Sequence, residues 1–387
     1  MKFIFEILFI VFVFKEMYSD TFENYKNYKK TKSQYKLTQI FNGLDYPFGL
    51  SFLDQNNLLV TEKGGRILKI NKKSGKMLEI KHKIPVLEFN SLSLSPQQGG
   101  LLDIFHNEKD NYTYFTYSHD FKKSNSNEKI KSEFSTAIAR GTIENNKIEN
   151  FQVLLLATPE SNINLHWGSR ITIKEEHLFA GLGDRGESEM AQDPKKYPGS
   201  IIRIKKNGDI PKDNPSFINK PNWLPEIFSI GVRNPQGITI SPHDNSIIFS
   251  QHGPKGGDNI SKVRHGGNFG WKVVGWGGTE YSGRKIGKEA FNDKFDKPLK
   301  VWVPSIAVGS INFYKGDSFS EWNGDLIISA TKTKMLLRLD YENNKIVDEE
   351  IILKNALGRI RDFEIDNSGD IFLITDEKNS SLWKLSK

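Results

Sequence analysis

The 387-residue chain contains no cysteine, which excludes a disulfide framework, a thiolate metal site, an iron–sulfur centre and a cysteine nucleophile together. Helical periodicity is nearly missing as well, and this argues against alternating βαβ architecture. P-loop, HExxH, EF-hand and kinase signatures are not found. The eight histidines show no metal-ligand spacing. No stretch approaches the roughly 18 continuous apolar residues of a membrane-spanning helix. The excess of one charge sign is small too: of the net +7, +3 comes from the stretch Asp20 to Lys36, with five lysines against two acids. Lysine there, interleaved with Tyr25, Tyr28 and Tyr35, reads as a solvated tether, and without a recognised binding motif it gives no case for nucleic acid.

What is present is ample core material. Hydrophobic residues make up 37% and charged residues 26%, with 32 Gly and 26 Phe, so the chain is globular rather than disordered. Lys2 followed by a mostly apolar stretch through Phe14 suits an export signal, with Ser19 as the small residue before cleavage. Glu6, Lys15, Met17 and Tyr18 depart from the ideal signal. The expected organisation is a signal peptide at 1–19, a Lys-rich segment at 20–36 and one folded domain at 37–387. The product would be periplasmic or secreted, with no membrane span after processing.

From Leu37 onward one theme recurs: an alternating apolar strand, a tight polar turn and a second apolar strand. Copies begin at Gly49, Gly100, Ser169, Gly237, Ser310 and Ile360, separated by 51, 69, 68, 73 and 50 residues. That spacing is too irregular for a solenoid but suits four-stranded units with insertions. Six such units without covering helices predict an all-β fold, a six-bladed β-propeller of four-stranded antiparallel blades, because radial repetition leaves few free strand edges. A β-sandwich pair is the other architecture compatible with the pattern. Ser381-Leu-Trp-Lys-Leu-Ser386 reads as the strand that closes the ring, in a unit that joins the two chain ends. Functional residues should then lie far apart in sequence and converge at strand ends.

Several local clusters fit that picture. Gly181-Leu-Gly183-Asp-Arg-Gly186 has dinucleotide-fingerprint spacing, but the following segment runs into Pro194 and Pro198, so no helix can point its N-terminus at a pyrophosphate. The glycines read as a blade turn. His166, in Asn164-Leu-His-Trp-Gly-Ser-Arg170, sits at the mouth of a strand, where an imidazole can act as a general base or serve as a satisfied structural residue. Gly231-Val-Arg-Asn-Pro-Gln-Gly237 concentrates fixed donors and can present them to a polar ligand or clamp its own turn. Carbonyls of the Gly253-Pro254 turn suit a hard cation such as calcium, although a metal-free glycine turn explains them equally. Lys332, Arg359 and Arg361 could meet several carboxylates or line a solvated strand face, the two arginines alternating onto one side of an extended strand. Asp376 could pair with that cationic group.

Taken in order, these clusters resemble the soluble pyrroloquinoline quinone (PQQ)-dependent sugar dehydrogenases, also called glucose/sorbosone dehydrogenases. The resemblance spans about Phe41 to Leu385. It is carried by Tyr46-Pro-Phe-Gly-Leu50, Leu59-Val-Thr-Glu62, Gln98-Gly-Gly-Leu-Leu102, His166-Trp-Gly-Ser-Arg170, Gly183-Asp-Arg-Gly186 and Arg233-Asn-Pro-Gln-Gly237. It continues through His252-Gly-Pro-Lys-Gly-Gly-Asp258, Gly267-Asn-Phe-Gly-Trp271, Trp302-Val-Pro-Ser305, Arg359-Ile-Arg-Asp362 and Thr375-Asp376. Short insertions make the chain look closer to the broad-specificity aldose enzymes than to the dedicated glucose enzyme.

The resemblance implies a six-bladed propeller, PQQ and calcium as cofactors, an aldose substrate and a separate electron acceptor, a quinone or a cytochrome. It implies that His166 removes the C1 hydroxyl proton while hydride passes from C1 to the C5 carbonyl carbon of PQQ. Calcium on the backbone oxygens of Gly253 and Pro254 would polarise that carbonyl, and Arg233 would stabilise the charge developing on its oxygen. Asn234, Lys332, Arg359 and Arg361 would hold the cofactor's carboxylates and ring atoms, with Trp302 and Ser305 near its plane, while Gln98 and Gln192 would contact sugar. A tricarboxylate also makes physical sense of clustered Arg and Lys. The chain departs from the family pattern at Leu165, where the glucose enzyme has an orienting aspartate, at Val232, where histidine is common, and at Val308-Gly309, where Ala-Pro is usual. Two other readings of a propeller are a non-catalytic platform for a protein or glycan, and a lactonase with calcium held by side-chain Asp, Glu and Asn.

Overall fold

A computed structural model describes residues 28–90, 97–121 and 134–387. The expected architecture is the observed one: six four-stranded antiparallel blades arranged as a propeller. The inner strands of blades 1 to 6 are Pro47–Phe52, Leu101–Asn107, Gly168–Lys174, Pro235–Ile240, Val308–Phe313 and Ile360–Ile365. Each turns back into a second strand, in the same order Asn57–Glu62, Tyr112–Asp120, His177–Leu182, Ile247–Gln251, Leu326–Ala330 and Ile371–Thr375. The six repeats of the sequence are these inner pairs. Among the described residues helix is confined to the single turn Pro215–Ile218 and two 3-10 turns.

Burial explains why the inner pairs were legible. All five residues of Leu326–Ala330 are buried, whereas the outermost strand of blade 2, Lys147–Leu156, buries only Ile148. Apolar side chains interdigitate between neighbouring blades: Ile248 and Ile260 of blade 4 share one cluster with Ile311, Leu326, Ile328 and Leu337 of blade 5. Each such side chain contributes about 1.5–3 kcal/mol on burial.

The ring closes where Lys36–Leu44 pairs antiparallel with Ser380–Ser386. The seam lies in the sixth unit, because the N-terminal strand precedes the first inner pair and completes the last blade. Lys29–Lys30 adds a parallel edge strand to Lys345–Lys354 of blade 5, with Lys29 Nζ 2.6 Å from Asp348. The end of the Lys-rich segment is therefore docked rather than a solvated tether. The expected signal peptide at 1–19 lies outside the described residues. Among those residues no helix is long and apolar enough to cross a membrane.

Arg170 crosses the propeller axis. Its guanidinium donates to Asp103 at 2.8 Å and Asp362 at 2.5 Å, and to the carbonyls of Gln236 at 2.9 Å and of Phe48 and Arg361 at 3.2 Å each. One side chain thus ties blade 3 to blades 1, 2, 4 and 6. Beside it runs a channel cavity of about 310 Å³ that Glu364 also lines. Burial, reinforced by Asp362 and Asp103, pushes the Glu364 carboxyl well above its ordinary range. A carboxyl raised on folding contributes stability at low pH that is lost as pH climbs. Glu364→Gln is therefore expected to raise the unfolding free energy measured in urea at pH 8 by about 1 kcal/mol or more and to leave it unchanged at pH 4. Equal effects at both pH values would count against the buried carboxyl as the cause.

Candidate active site

The inner strands all begin at one face and their partners all end there, so that face collects residues from every blade. A cavity of about 390 Å³ opens at this end. Gln98, Asn234, Gly253, Pro254, Ser305, Lys332, Arg359 and Arg361 line it, together with Lys63, Gln236, His252, Tyr281 and Asp376. Eight of the residues picked out in the sequence are thereby brought to one place.

Its charge is lopsided. Lys63, Lys332, Arg359 and Arg361 face a single carboxylate, Asp376, which leaves a net +3. Asp376 accepts from Lys63 at 2.6 Å and from Arg361, while Lys332 and Arg359 form no ion pair among the described residues. Burial lowers the Lys63 ammonium below its usual range, and the two arginines add to that against the pull of Asp376. Arg359 is lowered by burial and then by Arg361. Arg361 Nε is buried without a hydrogen-bond partner among the described residues. A cluster whose cations destabilise one another beside an orphaned donor is complementary to a multivalent anion.

His166 stands immediately beside the lining residues Gln98, Trp167 and Gly168. Its backbone lies in the left-handed region, φ +49°, pinned by a bond from its N–H to Gln98 Oε1 at 2.8 Å. Nδ1 donates to Asp184 Oδ1 at 2.7 Å, so the neutral ring carries its lone pair on Nε2. Nε2 makes no hydrogen bond among the described residues, and the side chain keeps 15% exposure. Asp184 also accepts from Trp271 Nε1 at 2.6 Å and from Gly186 N at 2.8 Å. Burial alone would raise this carboxyl, yet the His166 bond and the Arg233 charge hold it below the ordinary carboxylate range. A carboxylate fixed in that state stabilises an imidazolium, which is what a general base requires.

The glycine fingerprint is absorbed here. A Cβ on Gly183 would lie 1.8 Å from the His166 carbonyl oxygen, so glycine is needed for the Asp184 turn to pass under the histidine. A 3-10 turn, Ser188–Gln192, follows in place of a helix.

Arg233 lies in the adjoining wall, 6% exposed, its guanidinium 5.2 Å from the Trp271 ring centre. Nη1 is 3.3 Å from the Gly253 carbonyl oxygen and 3.4 Å from that of His252, and Nε has no partner among the described residues. The Gly253-Pro254 turn is anchored by Asp258, which accepts from Gly253 N and Ser305 Oγ at 2.8 Å each and from Ala307 N at 2.7 Å. The backbone carbonyls of this turn are hard-cation donors. No group of three or more His, Asp or Glu side chains among the described residues could hold a metal alone, so a calcium ion here would need oxygens from a bound ligand.

A family model described as Glucose / Sorbosone dehydrogenase matches residues 44–384. The chain belongs to that family. It is 32% identical to the aldose sugar dehydrogenase YliI of Escherichia coli, over 89% of this chain and 90% of that one. To the quinoprotein glucose dehydrogenase B of Acinetobacter calcoaceticus it is 25% identical, over 90% and 87%. The apo crystal structure of the soluble E. coli aldose sugar dehydrogenase superposes with a TM-score of 0.82 at 30% identity, over 91% of this chain and 99% of that one. The PQQ-bound aldose sugar dehydrogenase of Streptomyces coelicolor shares the fold, with a TM-score of 0.71 at 20% identity, over 91% and 98%.

Two expected site residues of this glucose/sorbosone dehydrogenase lie elsewhere. Trp302 ends the outermost strand of blade 4, Lys300–Trp302, and packs between blades 4 and 5. Its Nε1 donates to Glu349 at 2.9 Å, so its ring does not line the cavity. Gln192 is locked onto Asn268 by reciprocal amide bonds of 3.0 and 2.9 Å and donates to the Trp271 carbonyl at 2.7 Å, behind Trp271 and off the lining. Reading along the sequence assigned no role to Lys63 or Asp184 and took Gln236 only as one of the fixed donors of the Gly231–Gly237 cluster. Lys63 and Asp376 stand one residue, and Asp184 and Lys332 two residues, past the end of a second strand, so blade register was the signal that could have found Lys63 and Asp184. Leu165 is no gap in the machinery, because Asp184 of the next turn holds the imidazole.

Proposed function

We propose that this dehydrogenase oxidises aldose sugars at C1 to lactones with PQQ and calcium, is exported through its residue 1–19 segment, and passes its electrons to a separate acceptor. The observation that carries the reading is a +3 cavity, matched in charge to a tricarboxylate, beside a His166–Asp184 pair.

Lys332, Arg359, Arg361 and Lys63 would hold the carboxylates, and Asn234 and Ser305 would fix the ring edge. The Gly253 and Pro254 carbonyls, held by Asp258, would hold calcium. PQQ when bound supplies a carbonyl carbon able to take hydride, and calcium makes it more electrophilic. The protein does the rest. His166 Nε2 takes the proton of the C1 hydroxyl and Asp184 steadies the resulting imidazolium. Arg233 puts a fixed positive charge where negative charge grows. Gln98, which sets the His166 backbone and lines the cavity, would touch the sugar.

Titrating the purified apo-protein with PQQ and calcium, followed by dye-coupled assays with several aldoses, tests the proposal. Lys332→Ala and Arg359→Ala are each expected to raise the PQQ Kd about ten- to hundredfold, the loss of one charge-assisted hydrogen bond. Wild-type protein that neither binds PQQ nor oxidises any aldose would overturn it.

A further inference from the structure

We infer that the mouth of this cavity docks an acidic one-electron redox protein, which removes the electrons; the inference rests on the dehydrogenase reading above. Lys255, Lys332, Lys334, Arg359 and Lys378 are exposed at this face and come from blade 4, blade 5, the blade 5–6 linker and blade 6. Backbone bonds tie their segments together: Ser305 N to the Lys255 carbonyl at 2.9 Å, Lys332 N to that of Ile306 at 3.2 Å, Asn355 N to that of Lys334 at 3.0 Å and Asp376 N to that of Arg359 at 2.8 Å. None of the five cations forms an ion pair among the described residues. Acids on the adjoining turns are half-buried Glu377, which accepts the Arg359 N–H at 3.2 Å, exposed Asp45, and half-buried Glu280, which Lys272 already approaches to 3.4 Å.

At the opposite end of the propeller Lys72 is matched with Asp366 at 2.7 Å, Lys384 with Asp370 at 3.0 Å, and Lys262 with Asp244, while exposed Lys73, Lys109 and Lys315, unpaired among the described residues, belong to separate turns of blades 1, 2 and 5. The mouth instead gathers unneutralised charge on five cations of segments tied to one another. A bound cofactor does not account for all of it. Lys332 and Arg359 line the cavity, but Lys255, Lys334 and Lys378 do not, so their charge stays directed outward. A positive rim around a redox cavity steers a negatively charged partner to the place where electrons must leave. Oxidation of one aldose to lactone releases two electrons and two protons. Two acceptor molecules are reduced in succession, one electron each, and the protons pass to water.

The test uses the full chain and the double variant Lys334→Glu/Lys378→Glu, neither residue being part of the cavity. Binding of an acidic c-type cytochrome to the apo-protein is measured by biolayer interferometry at low and high salt, with a basic cytochrome c as counter-probe. Turnover of the PQQ- and calcium-loaded enzyme is then compared with the acidic cytochrome and with a small neutral dye. Expected are salt-sensitive binding of the acidic cytochrome alone, a roughly tenfold or larger fall in its kcat/KM in the variant at low salt, and unchanged dye turnover. Equal affinity of both cytochromes, or a variant that binds the acidic one as wild type does, overturns the inference. Loss of dye turnover in the wild type would instead strike the dehydrogenase reading, while the binding arm still reports on the rim.

Discussion

Replacing His166 with alanine is expected to lower kcat for aldose oxidation about 10³-fold, within the range of general-base contributions, while PQQ still binds with wild-type affinity. The expectation follows from position: Nε2 is the unbonded nitrogen of a ring held at Nδ1 by Asp184, and the side chain is not among the cavity's cationic groups. Asp184→Asn should cost somewhat less, about 10²-fold. An amide keeps the shape but offers no charge to the imidazolium formed in the step, so the fall should appear in kcat while the PQQ Kd stays at the wild-type value. Stopped-flow reduction of the loaded enzyme by sugar separates this step from reoxidation. A His166→Ala enzyme that reduces its cofactor at more than about a tenth of the wild-type rate would remove His166 from the mechanism.

The second large effect concerns the fold. Arg170→Met deletes the cation that pairs with Asp103 and Asp362 at the axis and the three carbonyl bonds to neighbouring blades. Breaking a buried pair from one side typically costs about 3–5 kcal/mol, because the partner charge is left uncompensated. Two carboxylates are orphaned here, so a loss at the upper end of that range is expected in urea unfolding at pH 7. Burial already pushes Asp103 up to about 6, which gives the defect a pH signature. Part of the lost stability should return at pH 5, where a proton can replace the missing cation. The triple variant Arg170→Met/Asp103→Asn/Asp362→Asn should recover part of it at pH 7. A single variant within about 1 kcal/mol of wild type would mean that the axial guanidinium does not hold the blades together. Because Arg170 bonds the carbonyls of Phe48, Gln236 and Arg361, which line the cavity, looser blades should also weaken cofactor binding.

Trp302 and Gln192 show where reading along the chain fails. Trp302 stands in a segment of the family pattern and Gln192 in a loop between two such segments, yet such a position says only that a residue is near the site, not which way its side chain turns. Trp302 faces Glu349 from an outer strand, and Gln192 spends its amide on Asn268 and Trp271. Lys63 and Asp184 failed in the opposite sense. Each looks like an ordinary polar residue after a strand, and acquires a partner only when blades 1 and 6, or two successive turns of blade 3, are laid side by side.

The alternation of apolar and polar residues, the polar turns and their six-fold recurrence determined the strands, the blade count and the face on which chemistry collects. These are local or periodic properties, set by which side chains can leave water along a pleated strand. The contact between His166 and Asp184, the addition of Lys63 from blade 1 to the Arg361–Asp376 pair of blade 6, and the passage of Arg170 through the axis were decided by tertiary structure alone. Such pairings depend on distances between residues up to 313 positions apart in the chain, and those distances exist only once the ring has closed.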